Sequence, residues 1–346
     1  MIYRKLGRTD LKLSVIGLGT MTWGLQNTQQ QGFEQMDYAF DVGINFYDTA
    51  EMYAVPPSAK TYGATETIIG HWFATRQNRD RVILASKICG PGLDWVRGGI
   101  AHIDRKNLQL ALEASLKRLQ TDYIDLYQLH WPNRGSYHFG QVWEFAPDFD
   151  AQAEQENFIE VLQTLKRLID EGKIRHVGLS NETAWGLAKW LQLSEQHSLP
   201  RMVSIQNEYS LLCRHFEPDL SEFVMAENVS LLAWSPLTRG MISGKYLNGA
   251  RPAGARLTIE TRKEHRLHPQ TDAVIERYID LANRHGLDVC QMALAFVNSR
   301  PFLTSTLIGA TSMEQLKTNI ASIELTLSDD VLKEIEAIRR EYPMPF

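Results

Sequence analysis

Four side chains with complementary acid–base chemistry stand at matching places in this sequence. Asp48-Thr49-Ala50-Glu51-Met52-Tyr53 follows the apolar run Ile44-Asn45-Phe46-Tyr47, so a carboxylate and a phenol lie just past a predicted strand. Val82-Ile83-Leu84-Ala85-Ser86 ends at Lys87, and Tyr123-Ile124-Asp125-Leu126-Tyr127-Gln128-Leu129 ends at His130. A tyrosine, with an ordinary pKa of about 10, is a weak general acid at neutral pH unless its phenolate is stabilised. A nearby ammonium lowers that pKa, and a carboxylate keeps the ammonium charged and oriented. Asp48, Lys87 and Tyr53 suit such a relay. His130 can orient a carbonyl through a neutral imidazole or share the proton. Proton delivery to oxygen suits carbonyl reduction, and because side chains carry no hydride a nicotinamide cofactor is implied. Singly, each residue has a plainer reading: a surface group or local ion pair for Tyr53, Lys87 and Asp48, a satisfied core histidine for His130. Their shared position at strand ends is what points to one site. Glu51 has no part in the relay and reads as a loop carboxylate.

In a (β/α)8 barrel the C-terminal ends of the strands converge on one mouth, and the rest of the pattern predicts that fold. Short β-branched or aromatic runs alternate with helix-period segments, which implies a parallel sheet. The candidate strands are Val15–Leu18, Ile44–Tyr47, Val82–Ser86, Tyr123–Leu129, His176–Leu179, Met202–Gln206, Val229–Trp234 and Thr306–Ile308. Leu108, Leu112, Leu116 and Leu119 recur at helical spacing, as do Leu162, Leu165 and Ile169, with Gly172 placed to end that helix. Thr311-Ser312-Met313-Glu314 reads as a capping box for a helix over Met313–Ile320. Tyr3–Leu13 alternates around Gly7-Arg8-Thr9-Asp10 and predicts a small hairpin that plugs the barrel's bottom. Three loops on the mouth side are long, at 54–65, 89–104 and 132–157, and loops of that length usually bind or cover something. The third carries Tyr137, Phe139, Trp143, Phe145 and Phe149, either a lid or a satellite cluster against helices or another subunit. No Gly/Ser-rich or Pro-rich linker interrupts the chain, so one domain over 1–346 is expected.

Composition narrows the class. The chain has 346 residues, is 44% hydrophobic and carries a formal net charge of -5. There is no Lys/Arg block, so nucleic-acid binding is not expected. No apolar run approaches the ~20 residues of a membrane span, and the N-terminus shows no signal peptide. Cys89, Cys213 and Cys290 are odd in number and far apart, which favours a reducing, cytoplasmic setting over a disulfide framework. No metal-ligand spacing is present, and His265 and His268 in a charged stretch read as solvated surface.

These motifs resemble the aldo-keto reductases, a (β/α)8 family that uses nicotinamide cofactors. The resemblance runs from about Tyr3 to about Ile338. Leu6-Gly7-Arg8-Thr9 and Gly17-Leu18-Gly19-Thr20 resemble the family's opening segment, with Thr20 on the cofactor side. Gly43 to Tyr53 resembles the signature holding the catalytic Asp and Tyr, and Asp122 to His130 the segment leading to the catalytic His. The Pro56-Pro57 loop is most similar to the bacterial Tas-like branch, with potassium-channel β subunits more distant. The resemblance implies a tetrad of Asp48, Tyr53, Lys87 and His130, with Tyr53 as general acid. It implies that Ser180, Asn181 and Gln206 bind the nicotinamide carboxamide and that Trp234 stacks on the ring. The bland alternatives are a helix N-cap for Ser180-Asn181 and a core position for Trp234.

At the phosphate end, Ser235-Pro236-Leu237 and Gly240 to Lys245 resemble the pyrophosphate loop, where small residues admit the backbone and Lys245 supplies charge. Arg256 matches an Arg that contacts phosphate. Gly309 and Thr311, followed by Gln315 and Asn319, resemble the adenosine-binding strand end and helix, whose N-terminus suits the 2′-phosphate. Gly17-x-Gly19 followed by Thr22 is no three-glycine Rossmann fingerprint. Met21, Thr318 and Ala310 depart from the family's Trp, acidic residue and Lys; Lys245, Arg256 and Thr311 still favour NADP over NAD. Trp23, Tyr53, His130, Trp131 and the long loops are expected to shape the substrate rim, for apolar or aromatic carbonyls.

The leading expectation is therefore an NADP(H)-dependent carbonyl reductase acting on a small molecule. A cofactor-holding redox sensor related to channel β subunits is the alternative. A barrel aldolase or isomerase using Lys87 as a Schiff base is the weakest reading. Physiological substrate and oligomeric state do not follow from fold.

Overall fold

Inward-facing positions decide what the strands carry. Successive side chains on a strand point to opposite faces, so every second residue looks into a closed barrel. In the computed structural model of this chain, residues 1–260 and 264–346 are described. Two short strands, β1 (Tyr3–Lys5) and β2 (Lys12–Ser14), pair antiparallel. Eight more follow: β3 (Ile16–Gly19), β4 (Phe46–Asp48), β5 (Ile83–Ile88), β6 (Ile124–Leu129), β7 (Ile174–Ser180), β8 (Met202–Glu208), β9 (Ser230–Trp234) and β10 (Leu303–Ile308). They pair in parallel, each with its chain neighbour, and β10 closes on β3. The (β/α)8 barrel with an N-terminal hairpin is thus as expected, and each of the eight predicted runs overlaps a barrel strand.

Phe46, Ala85, Leu126, Val203, Leu232 and Leu307 fill the barrel's interior. On four strands the next inward positions are polar or aromatic: Asp48 above Phe46, Lys87 above Ala85, Gln128 and then His130 above Leu126, Trp234 above Leu232. The outward face packs against the helices in the larger core, with Leu84, Tyr127 and Leu129 in one cluster with Leu108, Leu112, Leu162 and Leu165.

The hairpin closes the lower end. Leu6 and Leu13 are buried in the same interior cluster. The turn crosses the barrel floor so closely that a Cβ on Gly7 would lie 2.7 Å from the Val203 carbonyl oxygen, at φ +51. Gly7 N donates to Ser230 Oγ at 2.7 Å.

Two boundaries differ from expectation. The segment expected as a loop over 132–157 ends sooner, because a helix spans Ala151–Asp170 with Asp150 as its cap. Ala151-Gln-Ala-Glu-Gln-Glu-Asn157 contains good helix formers but no apolar period until Phe158, so periodicity alone could not find its first two turns. The helix Met313–Ala321 is capped by Ser312, not Thr311: Ser312 Oγ accepts from Gln315 N, and Gln315 Oε1 accepts from Thr311 N. The cap is shifted by one residue, and Gln315 reaches back to Thr311 N instead of the cap's own N–H, so the expected reciprocal box with Glu314 is not formed. Gly172, at φ 74, ends Ala151–Asp170 as expected. No helix among the described residues is long and apolar enough to cross a membrane.

If the hairpin completes the core, Leu6→Ala should cost about 2–5 kcal/mol. Ile2→Ala, at a half-exposed site, should stay within about 0.5 kcal/mol. Urea unfolding followed by circular dichroism measures both.

Candidate active site

At the mouth, the inward rungs of β4, β5 and β6 meet. Lys87 is 0% exposed, and its Nζ donates to Asp48 Oδ2 at 2.6 Å and to the Thr49 carbonyl at 2.8 Å. Asp48 Oδ1 accepts from Gln206 Nε2 at 2.8 Å and Gln128 Nε2 at 3.1 Å, so both carboxylate oxygens are used. Thr20 Oγ1 donates to the Asp48 carbonyl at 2.9 Å. Burial disfavours the ammonium, but Asp48 and the Tyr53 phenol outweigh it, and Lys87 sits above its ordinary value. It is held as a cation.

Tyr53 comes from the turn after β4. Its ring centre lies 5.2 Å from Lys87 Nζ and 5.9 Å from the His130 ring, edge to face. Burial raises the phenol above its ordinary value, and the pull of Lys87 only partly offsets this. The expected net lowering is therefore not what the site shows: the phenol stays protonated at rest. His130 is pushed well below the ordinary histidine value by burial and then by Lys87, so its ring is neutral. Its Nδ1 is buried without a partner among the described residues, unlike that of a satisfied core histidine.

The mouth opens into a cleft of about 1150 Å3. Asp48, Tyr53 and His130 line it and Lys87 lies behind them. The predicted cofactor positions from β3, β7, β8 and β9, namely Thr20, Ser180, Asn181, Gln206 and Trp234, all reach it. Ser180 Oγ donates to the Gln206 carbonyl at 2.9 Å, and Asn181 Nδ2 to the His130 carbonyl at 2.8 Å. Asn181 Oδ1 is buried with no partner among the described residues. Ser235, Leu237, Gly240, Lys245 and Arg256 line one end of the cleft. Gly309, Thr311, Gln315 and Asn319 line it from β10 and the following helix. Burial lowers Lys245, and it holds Arg256 down to about 10 with help from Arg239.

Several expectations change. Trp23 is 0% exposed and packs in the outer core, with Nε1 donating to Gln35 Oε1 at 3.0 Å; it is no part of the rim. Its place after the Gly19-Thr20 strand end suggested a mouth position, but the chain turns inward there. Trp131 does line the cleft and donates to the Pro91 carbonyl at 2.9 Å. Glu51 lies in the turn after β4, as expected of a loop carboxylate, but it is 0% exposed and ion-paired with Arg97. His265 is half-buried against Phe346 and lines the cleft, and His268 caps the helix Pro269–Arg284.

Other participants escaped the sequence reading. Gln128 holds Asp48, and its position two residues before His130 on one strand was a usable signal. Arg239, within the phosphate-loop match, bridges Glu260 at 3.1 Å and Glu264 at 2.7 Å beside the cleft. Phe139, from the segment 132–150, stacks on Trp234 with ring centres 5.9 Å apart. The loop's ends are tied down by Arg134, which pairs with Glu182 and lies 5.6 Å over Phe149 and 4.9 Å over Trp185.

His138, next to Phe139, is buried and held down to about 3 by desolvation, which a backbone contact with Glu182 offsets only in part. The unfolded chain takes up the proton first, near the ordinary 6.5. Stability from this group is full above pH 6.5 and is lost as pH falls towards 3. A His138→Phe variant should therefore show a urea midpoint that declines less steeply than the parent's across that window.

Comparison with known proteins agrees with this geometry. The Aldo/keto reductase family model matches residues 15–340. Protein tas of Escherichia coli (strain K12) is 49% identical over 347 residues, covering 100% of this chain and 99% of that protein. The uncharacterized oxidoreductase YrpG of Bacillus subtilis (strain 168) is 33% identical, covering 98% of this chain and 96% of its own length. Norsolorinic acid reductase stcV of Emericella nidulans is 30% identical over 94% of this chain and 78% of its own length. The chain belongs to the aldo/keto reductase family of oxidoreductases, which work with a nicotinamide cofactor.

Proposed function

We propose that this protein is an NADP(H)-dependent reductase of aldehyde and ketone carbonyls, carried on one barrel domain, with Tyr53 as general acid. One observation supports this above the others: a protonated phenol lies between a buried, ion-paired ammonium and a neutral imidazole. A bound nicotinamide cofactor supplies the hydride to the carbonyl carbon. Tyr53 gives its proton to the carbonyl oxygen, completing the alcohol. Burial keeps that proton in place until the oxygen becomes basic. His130 donates a hydrogen bond to the same oxygen and fixes the carbonyl's direction without adding charge. When Tyr53 is left as phenolate, Lys87 offsets its charge and Asp48 holds Lys87 in register. Water then returns the proton. The Schiff-base alternative fits poorly, because Lys87 is held charged and its protons are engaged by Asp48 and Thr49.

The residues present fit the cofactor. With Gln206 Nε2 committed to Asp48 and Gln128, its Oε1 remains as an acceptor, and Asn181 Oδ1 is a second. With the Ser180 hydroxyl these suit a carboxamide, which both donates and accepts. Trp234 would face the ring. Ser235, Leu237, Gly240 and Lys245 would hold the pyrophosphate, and Thr20, Gly309, Gln315 and Asn319 the remaining cofactor surface. NADP, which carries one more phosphate than NAD, is favoured by two cations at the phosphate end of the cleft, Lys245 and Arg256. Lys245 has no carboxylate within 4.0 Å among the described residues, and Arg256 has Glu260 only at 3.7 Å. Free Cys89, Cys213 and Cys290 suit a cytoplasmic enzyme.

The rim narrows the substrate. The cleft residues from 52–57, 91–93 and 130–141 include Met52, Val55, Leu93, Trp131 and Phe139, and none is Lys, Arg, Asp or Glu. A neutral, apolar carbonyl matches that wall, whereas a carboxylate there would be buried without a counter-ion.

Tyr53→Phe should lower kcat for NADPH-dependent aldehyde reduction by about 10²–10⁴-fold. NADPH affinity, read from tryptophan fluorescence and compared with NADH, should be unchanged; full activity in the variant would remove Tyr53 from the mechanism. In the parent enzyme, 4-carboxybenzaldehyde should show at least about tenfold lower kcat/KM than 4-nitrobenzaldehyde, measured by NADPH absorbance.

A further inference from the structure

Glu51 is a fully buried carboxylate that the relay does not use. We infer that Glu51 is a positioning residue: it ties the Tyr53 turn to two of the three substrate-rim loops and so sets how well the site grips a bulky carbonyl. The inference rests on the reductase reading above.

A buried carboxylate is costly unless both oxygens are paired. Here both are. Oε1 accepts from Cys89 N at 2.8 Å and from Arg97 Nη1 at 2.9 Å. Oε2 accepts from Arg97 Nη1 at 2.8 Å and from the Tyr62 hydroxyl at 2.5 Å. The backbone adds two links: Glu51 N donates to the Lys87 carbonyl at 3.2 Å, and Gly63 N donates to the Glu51 carbonyl at 2.9 Å. One residue therefore joins the end of β5, the loop over 89–104 and the loop after Tyr53.

Those loops supply substrate walls. Val55 and Pro57 line the cleft from one, Pro91 and Leu93 from the other. Around the carboxylate a small apolar cluster of Ala50, Met52, Cys89, Val96 and Ala101 packs against Tyr53, Leu93 and Trp131. Tyr62 meets Trp95 edge to face at 5.8 Å, so the two loops also touch each other. Apolar residues would hold two loops together as strongly as an ion pair. What a carboxylate adds is direction: three donor residues from two loops must point at two oxygens, which fixes the loops' register beside Tyr53. Glu51 stands two residues before Tyr53, so a shift in one reaches the other through a single intervening residue, Met52, itself in the cleft wall.

Glu51→Gln keeps the shape and removes the charge. Two measurements test the inference. Hydrogen exchange on the free protein should show peptides containing Gly63 and Cys89 exchanging about tenfold faster, with β7 to β9 unchanged. Steady-state kinetics with NADPH should show KM for a bulky apolar aldehyde, 2-naphthaldehyde, raised about tenfold while KM for propanal moves less than about twofold. Wild-type exchange at both rim peptides overturns the inference whatever the activity. So does an equal change, or none, for the two aldehydes. If the parent enzyme reduces neither aldehyde, the reductase reading fails, and the exchange result still decides whether Glu51 ties the loops. If Glu51→Gln does not fold, Tyr62→Phe removes one of the four side-chain hydrogen bonds and is read by the same measurements, with smaller shifts in the same direction.

Discussion

The buried pair of Lys87 and Asp48 is the constraint on which the rest of the site depends. An ammonium with no solvent contact is tolerated only because a carboxylate meets it, and removing one partner of such a pair costs about 3–5 kcal/mol. Asp48 is in turn saturated by Gln128 and Gln206, and its backbone by Thr20. Five strands, β3 to β6 and β8, contribute to that one arrangement. The barrel's register and the chemistry at its mouth are therefore the same fact. A slip of β4 or β5 would leave a charge buried without its partner, and a slip of β6 or β8 would strip Asp48 of an amide donor.

Most of the barrel was legible in the sequence because its signals are local. Val82 to Ser86 and Tyr123 to Leu129 read as strands from composition alone, and Lys87 and His130 stood out as polar residues ending apolar runs. What escaped depended on contacts between distant segments. Nothing near Glu51 indicates that Tyr62, Cys89 and Arg97 will surround it, and a carboxylate beside Met52 and Tyr53 looks like any loop acid. Trp23 failed for the mirror reason: an aromatic after a strand end suits a rim, and only the packing of Gln35 and the outer core shows it turned inward. The sign of the Tyr53 shift was likewise a matter of depth. Sequence can pair a phenol with an ammonium, but the weight of desolvation against that attraction is set by burial.

The rim is built differently from the barrel. Its loops are held by a few strong polar knots rather than by continuous hydrogen-bond ladders. Glu51 with Arg97 fastens two of them, and Arg134 with Glu182 fastens the ends of the third. Between its tethers the third loop places Phe139 on Trp234, so an aromatic contact joins the proposed substrate wall to the proposed cofactor wall. Knots of this kind let loop sequence vary widely between fixed points, which suits surfaces that select ligands.

The two-residue period of the strands works as a reading frame for chemistry. Asp48, Lys87, His130 and Trp234 each stand one or two inward rungs above a leucine, phenylalanine or alanine of the barrel interior. Inserting or deleting a single residue below any of them would exchange its inward and outward sets, turning a functional group into the helix layer and an apolar one into the mouth. Changes that preserve the frame must come in pairs, or beyond the last rung. Divergence among proteins built this way should accordingly accumulate as loop insertions and rung-for-rung replacements, with strand lengths below the mouth left untouched.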